Sequence, residues 1–327
     1  MGRMLVVLNA DAGTVRDLGP ERIRRTVDDA LTRTDLDVDV MVEPGPLMAQ
    51  AVKAAPGLGY DTVVVGAGDG SLSYAATVLA GTDVALGILP LGTMNLLAHD
   101  IGLPRDLDGA LAALREAVPM RVDLGTVNGR PFHGVSGVGF FTQMALAREQ
   151  VREKRGRISG WLLALGKALI RSGHLHLEVE INGARERVTA YAALVTVNPF
   201  DAPGWHRSRL DGGHLEVLLA EDRGTLHKLR TGADVLVNAW RGNPGIHIFN
   251  ADAITINARH RNRAWVATDG EVTREDLPLR YAIAPRALTL LMPPDAPQLQ
   301  AAAHIERAHP AHGETVHRGK PTGLLQG

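Results

Sequence analysis

The sequence predicts an N-terminal open parallel α/β domain over residues 1–120, a β-rich and mostly antiparallel domain over 121–295, and a disordered tail over 296–327. Three observations carry this reading. Short aliphatic runs alternate with amphipathic stretches through the first third of the chain, as strand–helix–strand units require. From Arg121 onward the runs alternate apolar with polar residues and meet at Asn182-Gly183 and Asp211-Gly212-Gly213 turns. The length of 327 residues with 45% hydrophobic content suits two cores better than one.

Leu5 to Leu8 opens the chain as a buried strand; the apolar run is too short for a signal sequence and is followed at once by Asn9 and Asp11. Val38 to Val42, Thr62 to Val65 and Ala85 to Leu89 are the next strands, each ending near Gly, Pro or Asn. Helices are expected over Pro20 to Thr32, Leu47 to Ala55, Leu72 to Leu79 and Leu107 to Ala117, the last with Leu107, Leu111 and Leu114 on one face. In the second half, strands are expected at Val122 to Leu124, Leu175 to Ile181, Tyr191 to Val197, Leu215 to Leu219 and Ile254 to Ile256, interrupted by a helix over Phe141 to Arg171. Trp240 and Trp265 are expected to fill core. The tail, with His304, His309, His312 and His317, reads as solvated chain rather than a metal site.

Composition removes several classes. Lys plus Arg number 35 against 36 Asp plus Glu, so no global field recruits nucleic acid. Cysteine is absent, which excludes disulfides and thiolate metal sites and fits a cytoplasmic protein. No run of about 18 apolar residues spans a membrane, which leaves a soluble chain or one that sits peripherally at the inner membrane face.

The segment Val63-Val64-Val65-Gly66-Ala67-Gly68-Asp69-Gly70-Ser71-Leu72 is a strand feeding a Gly-rich turn feeding a helix. Such a turn points backbone N–H groups and a helix N-terminus at the strand's carboxyl end, which suits phosphate. Asp69 beside bound phosphates implies a divalent cation between like charges. Its alternative is an Asp-Gly turn capping the next helix. A second loop, Gly87 to Leu97, offers Gly92, the Thr93 hydroxyl and the Asn95 amide for ribose or phosphate, or for a cap. Asn9 could contact phosphate or close its own turn.

Gly68-Asp69-Gly70-Ser71, then Pro90-Leu91-Gly92-Thr93-Met94-Asn95, then Asp269-Gly270-Glu271 resemble the catalytic domain of the diacylglycerol kinase family, which includes sphingosine kinases and bacterial lipid kinases. The likeness runs from about Val6 to Met292. It implies an α/β nucleotide-binding domain followed by a β-rich domain, with the active site between them. It implies ATP and Mg²⁺ as cofactors and a diacylglycerol-like lipid as substrate. By resemblance Ala67, Gly68, Asp69, Gly70, Ser71, Leu72 and Ser73 cradle the phosphates, Asp69 acts through Mg²⁺, Thr93 contacts the nucleotide, and Glu271 is the general base. A carboxylate there can orient an alcohol and accept its proton. Asp269 and Glu271, two apart, would share a strand face.

The chain departs from the family at Ala67 for the first glycine of the loop, Ser71 for threonine, and Tyr74 for a helix glutamate. A structural metal site of the family maps onto Arg209 to Leu215, where Gly212 takes the acidic position with Asp211 beside it. Gly134, Ser136, Gly137 and Gly139 are either cleft-lining backbone or a kinked strand. Arg148, Arg152, Lys154, Arg155 and Arg157 precede Trp161 and a Leu-rich run, either a transient membrane contact or a core helix with a basic end. Trp205, His206 and Arg207 read as a packed interface loop or a substrate contact. A homodimer is left open. Two other functions stand beside the lipid kinase: a kinase of a soluble substrate, NAD kinase-like, and a catalytically silent nucleotide- or lipid-binding protein.

Overall fold

Residues 4–8 of β1 (Arg3–Asn9) are buried, which is why the run is continuously apolar rather than alternating. The computed structural model describes residues 2–31, 36–92, 95–153, 173–181, 183–201, 206–224, 227–228, 230–231, 234 and 240–301, without the side chains of 147–153. From β1 the chain passes through α1 (Gly13–Leu18) and α2 (Pro20–Leu31) to β2 (Asp37–Glu43), and through α3 (Gly45–Ala54) to β3 (Thr62–Ala67). It continues through α4 (Asp69–Leu79) to β4 (Ala85–Pro90), then α5 (Leu96–Asp100) and α6 (Leu107–Arg115). These strands pair in parallel in the order β4-β3-β1-β2. The winding reverses between β1 and β3, the switch point where open α/β sheets leave a crevice beyond their carboxyl ends. Helix α2 buries Ile23, Val27 and Leu31 at i, i+4 spacing against the sheet. Asp106 starts α6 by accepting the Gly109 N–H at 2.7 Å.

The second half comprises β5 (Val118–Val127), β6 (Arg130–Phe132), β7 (Val135–Gly139), α7 (Phe140–Glu153), β8 (Leu175–Ile181), β9 (Ala184–Val197) and β10 (Leu215–Glu221). It ends with β11 (Ile246–Ala251), β12 (Ala253–Ala258), β13 (Arg263–Thr268), β14 (Glu271–Asp276) and β15 (Leu279–Met292). Among the described residues every ladder within this half is antiparallel. The architecture is therefore the expected one, a parallel α/β layer followed by a largely antiparallel β unit.

Strand β15 joins the two. Its first residues pair with β12, it bulges between Ala284 and Leu288, and Thr289 and Leu290 then pair in parallel with β4. Leu288, Leu290 and Met292 thereby enter the core of the first half, and Ala296 follows them. Residues 297–301 form a turn of helix in which Gln298 is buried; 302–327 lie outside the described residues. So does the rest of the helix expected over 141–171, beyond Glu153, with Lys154, Arg155, Arg157 and Trp161. Trp240 is buried as expected, but Trp265 is 57% exposed. Alternation along β13 explains the correction: Val266 takes the core face and turns Trp265 outward.

Candidate active site

Three loops meet at the carboxyl ends of β1, β3 and β4. Asn9 Oδ1 accepts the Asp11 N–H at 2.9 Å, closing its own turn, while its Nδ2 reaches Ser71 Oγ at 3.4 Å across the switch point. The loops after β3 and β4 touch backbone to backbone. A Cβ on Gly92 would lie 2.5 Å from Gly68 Cα and 2.8 Å from Asn95 Oδ1, so only glycine fits there. Asn95, in the left-handed region at φ 50°, accepts the Gly92 N–H at 3.0 Å and donates to the Gly92 and Pro90 carbonyls. Asp69, the first residue of α4, accepts the N–H of Leu96 at 2.6 Å and of Asn95 at 3.1 Å. It therefore caps α5 rather than its own helix, and clamps the two loops together. The N–H groups at the start of α4 and the positive end of its dipole face this crevice.

From the other half, the hairpin between β13 and β14 closes over α4. Asp269 and Gly270 form its turn, both at positive φ, 48° and 89°. Asp269 is buried. Its Oδ1 accepts the N–H groups of Gly134 and Val135 at 2.9 and 3.0 Å, and its Oδ2 accepts the His133 N–H at 2.9 Å and the Ser73 hydroxyl at 3.0 Å. Glu271 is exposed, and its Oε1 lies 3.7 Å from where a Cβ on Gly70 would stand. The expectation that Asp269 and Glu271 share a strand face is overturned: the first lies in a tight turn, outside the strand, and its carboxylate is spent as an anchor.

The remaining predicted residues sort by burial. Ala67 and Leu72 are fully buried, so their side chains belong to the core and only their backbone stands at the loop. Ser73 gives its hydroxyl to Asp269, whereas Gly68, Gly70 and Ser71 stand at the crevice. Thr93 lies outside the described residues, as does Trp205. Asp211 is far from a free ligand: its Oδ1 takes both Nε and Nη2 of Arg209 at 3.1 Å. Gly212 packs so closely that a Cβ would lie 2.5 Å from Asn198 Oδ1. Among the described residues no three His, Cys, Asp or Glu gather to hold an ion.

The model of the diacylglycerol kinase catalytic domain matches residues 3–127. A protein of Pseudomonas savastanoi pv. phaseolicola named "Probable lipid kinase YegS-like" is 31% identical over 291 residues, covering 84% of this chain and 89% of that one. This chain belongs to the diacylglycerol kinase-like lipid kinase family. It is also 23% identical over 294 residues to a Synechocystis protein, of whose length it spans 66%. The solved structure of a diacylglycerol kinase from Bacillus anthracis has a TM-score of 0.64 at 17% identity, covering 90% of this chain and 98% of that one, and shows the same fold.

In this member of the family, three features of the site were not legible in the sequence. Asp100 and Arg207 form a buried ion pair, 7% and 3% exposed, between α5 and the loop before β10. The signal was a lone carboxylate amid Leu97, Ala98, Ile101 and Leu103. Behind the hairpin, Ser136, Thr268 and Tyr281 share hydroxyl contacts at 2.8 and 3.2 Å, and burial pushes the Tyr281 phenol far above its ordinary value. An apolar pocket of about 170 Å³ opens beside Trp265, lined by Val138, Leu177, Ile256, Leu277 and Leu279.

Proposed function

We propose that the chain transfers the γ-phosphoryl group of ATP to the hydroxyl of a diacylglycerol-like lipid. The observation that carries this reading is the approach of Glu271, from the β-rich half, to Gly70 of the phosphate loop. An acceptor hydroxyl between the two would lie within reach of both a base and the terminal phosphate. Glu271 orients the hydroxyl and takes its proton as the new oxygen–phosphorus bond forms and the bond to the β,γ-bridging oxygen breaks, releasing ADP.

The residues present fit a magnesium nucleotide. Mg²⁺ is commonly held by one or two carboxylates together with substrate phosphates, and Asp69 is the carboxylate at the loop. Each Asp69 oxygen accepts one N–H and keeps a further lone pair. Bound there, the ion would neutralise charge developing on the phosphoryl oxygens. Asp211 does not fit a second, structural metal, because Arg209 already neutralises it.

The pocket beside Trp265 supports an acyl-bearing substrate. From Thr268 at the hairpin to Ala264 at the pocket wall is four strand residues, roughly 13 Å at about 3.3 Å each. An engineered cavity of about 150 Å³ holds a benzene, so this one has room for part of an alkyl chain beneath a headgroup at Glu271. The described part of the chain has no helix long and apolar enough to cross a membrane, and a peripheral position would let the substrate reach the cleft from a bilayer.

The test is transfer of labelled γ-phosphate to lipids in mixed micelles by the native protein, Asp69→Ala and Glu271→Ala. Transfer to one lipid, lost in both variants, is the expected result. Transfer to NAD without detergent would favour the soluble-substrate reading, and ATP binding without transfer the silent one.

A further inference from the structure

We infer that Asp100 and Arg207 are positioning residues for phosphoryl transfer, closing a ring of polar contacts that holds the Asp69 loop and the Glu271 hairpin at one separation. The inference rests on the roles proposed above for Asp69 and Glu271. The ring can be followed bond by bond. Asp69 accepts two N–H groups at the start of α5. Helix α5 ends at Asp100, whose carboxylate accepts Arg207 Nε at 2.7 Å and the Arg207 backbone N–H at 2.8 Å. Arg207 Nη1 donates to the carbonyls of His133 and Val197, both at 2.8 Å. His133 N–H donates to Asp269, and Asp269 accepts the Ser73 hydroxyl. Ser73 stands about one turn along α4 from Asp69, where the ring began. From the chain's last described turn, Gln298 Nε2 donates to the carbonyls of Asp100 and Arg207 at 2.8 and 2.6 Å.

Each half contributes contacts the other cannot supply. Asp69, Ser73 and Asp100 come from the α/β layer; His133, Arg207 and Asp269 come from the β-rich half. A buried ion pair is weak evidence for net stability, because desolvation offsets its attraction. What the planar arginine fork gives instead is direction: Nε and Nη1 point at acceptors on different elements, which a point charge on lysine could not reproduce. Glu271 itself is exposed and held only through the hairpin, so its place over Gly70 depends on the anchorage of Asp269. Phosphoryl transfer is governed by such placement, since the protein supplies mainly position and charge.

The experiment compares Asp100→Asn, Arg207→Lys, Gln298→Met and the milder break Ser73→Ala. For each, kcat, KM for ATP, Tm and amide hydrogen exchange at Leu96 and at 133–135 are measured on the full chain. We expect kcat to fall roughly tenfold in Asp100→Asn and Ser73→Ala, within the hundredfold that a displacement of about 1 Å brings. KM for ATP should stay within about twofold, because neither change alters uniform nucleotide binding. A variant combining Asp100→Asn with Ser73→Ala should be no slower than the slower of the two singles, since a ring opened once is open. Exchange at 133–135 should quicken in Asp100→Asn although that residue lies in the other half. Multiplicative losses of kcat, or a lowered Tm with kcat intact in folded protein, would overturn the inference. Should the native protein bind ATP and phosphorylate no lipid, the lipid-kinase reading fails by itself. The exchange result then decides alone, and unchanged exchange across the ring would sink it.

Discussion

Of the four Asp-Gly pairs in this chain, Asp108-Gly109 lies inside α6, and the other three each use the carboxylate differently. Asp69-Gly70 sits where a parallel strand meets a helix; its carboxylate stays partly exposed, caps α5 and faces the crevice. Asp269-Gly270 sits at a hairpin tip; its carboxylate is buried under four donors and leaves Glu271 to face the crevice. Asp211-Gly212 sits in the loop before β10, and its largely covered carboxylate is bound to Arg209 two residues earlier. The dipeptide supplies a turn and a charge. The number of buried donors aimed at the charge decides whether it anchors, clamps or is merely neutralised.

Removing the anchor should have the largest effect. Asp269→Ala leaves three part-buried N–H groups and a hydroxyl without their acceptor; at about 1–3 kcal/mol for each unsatisfied donor, partly offset by relaxation and by water, the loss should reach about 4 kcal/mol. A denaturant midpoint that does not move would erase the distinction drawn between Asp269 and Asp69. Glu271→Gln sharpens the contrast from the other side. It should lower kcat by about 10² to 10⁴ while stability stays within about 0.5 kcal/mol, checked by paired kinetics and thermal melts.

Gly92→Ala tests the clamp. The added methyl meets Gly68 Cα, so the two loops must part, at about 1–3 kcal/mol of overpacking, and titration calorimetry should show weaker ATP binding. The smallest effect belongs to a carboxylate paired like Asp211. Arg223's hydrogen bond, foremost, with His247 behind it, holds the Glu221 carboxyl below its ordinary range. A depressed folded value means stability that is present above the unfolded value and lost as pH falls through the folded one. Native protein should therefore exceed Glu221→Gln by less than about 1 kcal/mol at neutral pH, and the difference should vanish on acidification; a constant gap from neutral to acid pH would contradict the assignment.

By itself the sequence determined the parallel α/β layer, the antiparallel unit after it and the loops that face the crevice. Those features are local. Apolar period marks each strand and helix, and Gly-Asp-Gly needs only its own strand and helix to form a phosphate turn. Helices α1 and α5 and the short strand β6 escaped because three to six residues give too little period to register, whereas β7 takes the kinked-strand alternative read at Gly134 to Gly139. Tertiary structure alone decided which carboxylates are anchors. Asp269 meets Ser73 across 196 residues and Asp100 meets Arg207 across 107, distances over which no spacing rule operates. It also returned β15 to the first core and turned Trp265 to solvent, since a strand's neighbours, not its own composition, set which face is covered.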